Sequence, residues 1–391
     1  MKINRRLYLS LLTALLLGGL STVQGAQNLE IGGYLQGSLL QFKAPDTTPT
    51  NRKELHEFRL HNRLNLRWEL STELSAHGGL RTHLYSGDLV RTSPEYVNGL
   101  RRDPGLVDLS ATLVNQRNLL VHTMADRLYL EWDRNDWLIR AGRQRVNWGV
   151  NMITNPNDIF NIYSIYAIDY PERPGSDAIR IQRFTGLGSR VELALSPGRQ
   201  RRQTVAAALY GFTYNGYDIQ LIGGYYRDRL AVGGGWAGNL RGAGLKGEAM
   251  LFRDLDNHED EGERSTNVIV AVSLDYMFEN GLFVITELLY NKDGGKRNYQ
   301  LFGTGISADN PSFTRYQAAA QLSYLLHPLV NSSLTGIYYP REEALFLSPS
   351  ISWSVSSNLN LTILGQFFSG GRNSPLEQAA DLYMASLKYS F

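Results

Sequence analysis

The chain has 391 residues, of which 39 are basic, 37 acidic and none cysteine. The lack of cysteine excludes a disulfide framework, a thiolate metal site and a cysteine nucleophile. The near balance of charge gives no sign of a nucleic-acid partner.

Residues 1–25 have the pattern of an export signal. Lys2, Arg5 and Arg6 make a basic start, and Leu7 to Leu20 run mostly apolar, too short for a comfortable membrane span. Val23 and Gly25 suit the small positions before a cut near Ala26. Taking those three from the 39 basic residues leaves 36 against 37 acidic ones. Nothing later approaches 18 apolar residues in a row, so no helical span is expected. With no linker or composition break, residues 26–391 are expected to form one domain.

From residue 28 onward the pattern is strand after strand. Strands are predicted near 28–42, 54–69, 72–86, 123–133, 137–147, 177–184, 188–196, 203–213 and 216–226. Nine more follow near 229–238, 242–252, 266–278, 281–291, 315–326, 329–340, 343–354, 358–369 and 379–391. The connections sort by length. Those at Ser71, Asn135, Gly186, Asn215, Asn239, Glu279, His327 and Ser356 are short, several with hairpin-turn residues. The long ones, 43–53, 87–122, 148–176, 253–265, 292–314 and 370–378, all follow an odd strand. A closed transmembrane barrel with both termini on one side sorts its loops in this way. The fold class is therefore an all-β, antiparallel barrel of about eighteen strands, with sixteen as the alternative.

Alternation supports the same reading. In 54–69 one face carries Phe58, Leu60, Leu64, Leu66 and Trp68, and the other Glu57, Arg59, His61, Arg63 and Arg67. Aromatic residues gather near strand ends, as Trp68, Trp137, Tyr214 and Trp353 by the short turns and Phe42, Tyr85, Phe252 and Tyr338 by the long loops. Headgroup depth favours such amphipathic rings. Two long loops have content. Leu106, Leu109, Leu113 and Leu120 predict a short helix over 106–120. Loop 148–175 holds an apolar run, 159–168, that would be an aggregation hazard if exposed, so it is expected to fold inward. Asp158 could cap a short helix there.

The last thirteen residues alternate Tyr383, Ala385, Leu387, Tyr389 and Phe391 against a mixed face. This ending resembles the C-terminal signal of bacterial outer-membrane barrels. The resemblance implies closure on the first strand, recognition of Tyr389 and Phe391 by the barrel-assembly machinery, and surroundings of outer-membrane lipid and lipopolysaccharide. A second resemblance lies in 126–158. Gly142-Arg143-Gln144, then Trp148-Gly149, then Asn155-Pro156-Asn157-Asp158 are similar to an uncharacterised proteobacterial group of porin-like outer-membrane proteins. More distantly the segment is similar to alginate-export and substrate-specific porins. The match covers about thirty residues and implies a channel in the Gram-negative outer membrane for a small-molecule solute, with no cofactor.

If the polar faces point inward, Arg59, Arg63, Arg67, Arg81, Arg127, Arg140, Arg180 and Arg190 line one wall, with Arg143, Gln144 and Arg145 near the infolding loop. That wall suggests anion preference, although Glu57, Glu131 and Glu192 share it. Arg143, Gln144 and Arg145 suit loop anchoring or solute contact equally, and a bulge at Gly142 would decide whether Arg143 or Arg145 joins the lumen. Trp148, Asn155 and Asp158 are expected at the constriction. Passive diffusion is the first functional reading. A hydrolase using His56, His61, His77 or His83 is a second, although no nucleophile elbow or tight metal spacing accompanies them. A structural or biogenesis barrel closed by its loops is a third. The solute and the oligomeric state are not legible.

Overall fold

A computed structural model of the chain describes residues 28–44, 54–162, 164, 166–167, 175–255, 266–295, 306–371 and 374–391. The expected leader, most of the acidic loop after Asp254 and residues 168–174 lie outside the described residues. Strands in the first half are β1 (Leu29–Lys43), β2 (Glu54–Glu69), β3 (Leu74–Gly87), β4 (Ser110–Gln116), β5 (Leu119–Arg134), β6 (Trp137–Gln144), β7 (Ser176–Gly186), β8 (Ser189–Ser196) and β9 (Val205–Tyr214). The second half holds β10 (Tyr217–Tyr226), β11 (Arg229–Leu240), β12 (Ala243–Asp254), β13 (Thr266–Met277), β14 (Phe283–Asn291), β15 (Tyr316–His327), β16 (Val330–Tyr339), β17 (Ala344–Ser356), β18 (Leu359–Ser369) and β19 (Asp381–Ser390). Two short helices, α1 (Asp88–Thr92) and α2 (Pro94–Leu100), follow β3.

Each strand pairs antiparallel with its neighbours, and β19 returns to β1 from Tyr34↔Ser390 to Lys43↔Asp381. Phe391 completes the seam: its N–H donates to Gly33 O at 3.0 Å, and Gly33 N–H donates to Phe391 O at 2.9 Å. The wall is thus a closed barrel of eighteen strands, because β4 pairs only with the upper half of β5. Closure leaves no open edge, which is what hydrocarbon surroundings demand of a sheet. Tight turns bound one end. At Asn215-Gly216 both residues have positive φ, 49° and 79°, the geometry of a two-residue hairpin turn.

Outward positions are large and apolar, among them Leu39, Leu193, Leu288 and Ile363. Trp68, Trp137, Tyr214 and Trp353 are exposed near the short turns. The belt expected at the other end is thinner than the sequence suggested. Tyr338 is exposed there, but Tyr85 and Phe252 are buried. Each shares the strand parity of inward neighbours, Arg81 and Glu248, and parity decides the face.

The helix expected over 106–120 does not form. Ser110–Gln116 alternates strictly in burial and makes a hairpin with β5. The reason is tertiary. β6 stops at Gln144, which would leave the upper half of β5 unpaired, and Thr112 and Val114 are β-branched. Helix forms earlier, where Ser93 Oγ accepts from Tyr96 N–H at 3.2 Å and Pro94 opens α2.

Candidate functional site

After Gln144 the chain leaves the wall and runs through the interior. Gln144 Nε2 donates to Arg140 O and Ala178 O at the turning point. Trp148 is buried and its Nε1 donates to Glu192 Oε1 at 2.5 Å, while its carbonyl accepts from Gln220 Nε2 at 2.6 Å. Glu248 on β12 then accepts three backbone N–H groups, from Val150 and Asn151 at Oε1 and Asn157 at Oε2. Glu287 on β14 accepts two more, from Ile153 at 3.1 Å and Thr154 at 2.8 Å. Farther along, the Tyr166 hydroxyl meets that of Tyr339, and Gln366 Nε2 donates to Tyr166 O. The segment therefore lies against the inner faces of β8 to β18 and leaves the β1–β3 and β5 wall facing it.

The Trp-Gly and Asn-Pro elements fit this role. A Cβ at Gly149 would stand 2.4 Å from Asn155 Oδ1, so glycine lets the chain fold back on itself. Asp158 is buried and its N–H donates to Asn155 O at 3.1 Å. It caps no helix, since 159–162 is irregular.

The basic residues occupy rows on β2, β3 and β5. Arg59 faces Tyr85, His61 faces His83, Arg63 faces Arg81, and Arg67 faces His77. Successive rows are about 7 Å apart. Most of the guanidiniums are committed. Arg59 Nε pairs with Glu57 Oε1 at 2.5 Å, and its Nη2 donates to Tyr96 Oη at 3.1 Å. Burial pushes the Tyr96 phenol well above its usual range, so it stays protonated and donates to Glu57 at 2.9 Å. Arg140 pairs with Glu131, and Arg180 forks onto Glu192 at 2.5 and 2.9 Å. Arg190 is 3.8 Å from the same Glu192, and Arg67 is half exposed beside Glu69. Arg145 lies beyond β6, half-buried, with Nη2 3.4 Å from Asn147 Oδ1.

At mid-wall Arg63, Arg81 and Arg127 gather around the Asp126 carboxylate, at 2.8, 4.0 and 3.6 Å. Lys388 adds a cation nearby, 3.9 Å above the Tyr34 ring. Above these rows lies a chamber of about 780 Å³. Arg59, His61 and His83 form its polar side, and Phe42, Leu89, Tyr96, Tyr166 and Met384 its apolar side. His61 and His83 stack at 4.0 Å.

Arg143 stands on the other face. Gly142 pairs with Tyr129 in unbroken register, so no bulge shifts the parity, and Arg143 sits beside outward Leu128. It forks onto Asp177 at 2.7 and 3.0 Å, reaches Asp103 at 2.7 Å and donates to Val107 O at 2.6 Å. These bonds tie the loop before β4 to the wall where β6 turns inward. Arg143→Ala leaves Asp103 and Asp177 without a counter-charge and should cost about 3 kcal/mol, read as a lower urea midpoint. Ion selectivity should stay at the wild-type value. A changed reversal potential with unchanged stability would instead make Arg143 a pore residue.

No protein-family model and no curated protein sequence matches the chain. Solved structures do. OccAB1 from Acinetobacter baumannii has a TM-score of 0.58 at 10% identity, covering 95% of this chain and 98% of that one. A BenF-like porin from Pseudomonas fluorescens Pf-5 gives 0.58 at 10% identity over 93% and 98%. OccK9 (OpdG) from Pseudomonas aeruginosa gives 0.59 at 10% identity over 93% and 98%. The fold matches outer-membrane porin structures.

Among the described residues, His77 forms no catalytic relay. Ser75 Oγ is 3.0 Å from His77 Nε2, and Glu131 Oε1 is 3.8 Å from the same nitrogen. A nucleophile and an orienting acid need opposite ring nitrogens. Among the described residues no group of three or more His, Asp or Glu could hold a metal ion.

Proposed function

We propose that the protein is a passive channel of the outer membrane for small hydrophilic solutes, with a preference for anions. The observation that carries this reading is the gathering of Arg63, Arg81 and Arg127 around Asp126 on one wall, beside the chamber. In a narrow, low-dielectric passage the field of arginines gathered on one wall is focused rather than screened. The fold likeness to porins and the outward apolar band with its aromatic rim support the location. Lipid and lipopolysaccharide are then the surroundings, and the assembly machinery acts on the strand ending at Tyr389 and Phe391.

The test is the reversal potential across a KCl gradient in planar bilayers. The wild type should favour chloride, and Arg63→Gln with Arg81→Gln should move the potential toward the cation side. A cation-selective wild type, or an unchanged double variant, would remove the basic cluster as the filter. A folded barrel with no conductance at all would favour the structural reading.

A further inference from the structure

A second pocket, of about 400 Å³, lies toward the short-turn end of the barrel, with Val150 of the interior segment at its edge. Its floor is one row across four strands. Phe184 on β7 faces Arg190 on β8, Arg190 faces Gly211 on β9, and Gly211 faces Gln220 on β10. Asp218 stands one row nearer the short turns, opposite Thr213. Arg190 and Asp218 line the pocket with opposite charges. The carboxylate nearest Arg190 is Glu192, at 3.8 Å, and it already takes the Arg180 fork, Gln182 and Trp148. Arg190 Nε is buried without a hydrogen-bond partner, and the side chain as a whole is 40% exposed. Asp218 is exposed and accepts from Thr213 Oγ1 at 2.7 Å. Among the described residues no cation pairs with Asp218, Arg190 included.

Gly211 decides where the guanidinium lies. A Cβ there would stand 3.6 Å from Arg190 Cγ and 3.9 Å from its Cζ, so the side chain reaches across β9 toward β10. Gly211 and Asp218 sit on adjacent strands one row apart, a separation of about 8 Å. That gap is too wide for an ion pair, and it fits a small molecule that carries both charges. An α-amino acid has its ammonium and carboxylate on one carbon, and a charge-assisted bond of about 2.8 Å at each end lets it bridge the two groups. Phe184 and Val150 offer apolar surface to its side chain. We propose that this pocket binds a zwitterionic α-amino acid with an apolar side chain, its carboxylate on Arg190 and its ammonium on Asp218. The site goes beyond the channel reading above, because a solute without net charge is not selected by the field of the arginine wall. It is selected by meeting both charges at once, and a molecule with either charge alone leaves one protein group unmatched.

The test is binding to the whole barrel in detergent micelles at neutral pH. L-leucine is titrated by saturation-transfer difference NMR on its methyl signals, with 3-methylbutylamine and 4-methylpentanoate as competitors. These are leucine without its carboxylate and without its ammonium. Leucine should bind roughly tenfold more tightly than either competitor. Asp218→Asn should weaken leucine by about the same factor and leave 4-methylpentanoate no weaker. Arg190→Gln should weaken leucine as much and leave the amine no weaker. No leucine binding, leucine no tighter than its competitors, or unchanged leucine affinity in Asp218→Asn each overturns the proposal. If Arg190→Gln does not assemble, Asp218→Asn decides alone, since that side chain is exposed at the mouth. None of these readings uses ion selectivity. A cation-selective or non-conducting wild type removes the anion-channel reading and leaves the leucine result to judge this one.

Discussion

Replacing Glu248 and Glu287 together by Ala should raise single-channel conductance at least about twofold. These two carboxylates accept five backbone N–H groups from residues 150–157, at 2.5 to 3.1 Å. Both are almost fully buried. A hydrogen bond is worth about 1 kcal/mol net, so losing five costs the inner position on the order of 5 kcal/mol. Trp148 to Glu192 and Tyr166 to Tyr339 then hold the two ends of the run, and Ser273 to Asn151 at 3.0 Å and Gln317 to Thr154 at 3.3 Å are the weaker ties left between them. The middle should leave the wall and widen the path. Glu→Gln at both positions keeps one acceptor oxygen per side chain and should give an intermediate conductance. Wild-type conductance in the folded Ala double variant would mean that the segment does not restrict the pore.

Deleting Phe391 should lower the amount of assembled, heat-modifiable barrel by roughly an order of magnitude. The deletion removes both backbone bonds that tie the chain end to Gly33. It also removes a ring that stands 6.4 Å from that of Tyr389 and fills space over Gly33, a position with no room for a side chain. A Cβ at Gly33 would meet Arg63 O at 2.1 Å and the Phe391 ring at 3.1 Å. Phe391→Tyr keeps the bonds and the ring and should assemble normally. Equal surface levels of the deletion variant and the wild type would show that the seam closes without this residue.

The seam, the strand count and the sidedness of the loops were legible because each rests on short-range rules. Period two fixes which side chains share a face, and turn residues such as Asn215-Gly216 fix where a strand ends. Even so, one strand misled. Placing its start near 123 cut off Leu119–His122, and those residues carry the parity change that exposes the bulge at Asp126. The full run of β5 contains that signal. For Arg143 there was none, because its face depends on Gly142 keeping register with Tyr129 despite a φ of 123°.

By itself the sequence determined the closed antiparallel wall, its short and long ends, and the wall on which the arginines stand. Each follows from neighbours two to four residues apart. Only the tertiary structure decided which arginines are already paired, why 110–116 is a strand, and what holds the interior segment. Val150 and Glu248 are 98 positions apart, and Ile153 and Glu287 are 134 apart. Such partners meet only because closing the sheet turns distant strands toward one lumen. There a backbone N–H cut off from water must find an acceptor, and the inward carboxylates across the barrel supply it.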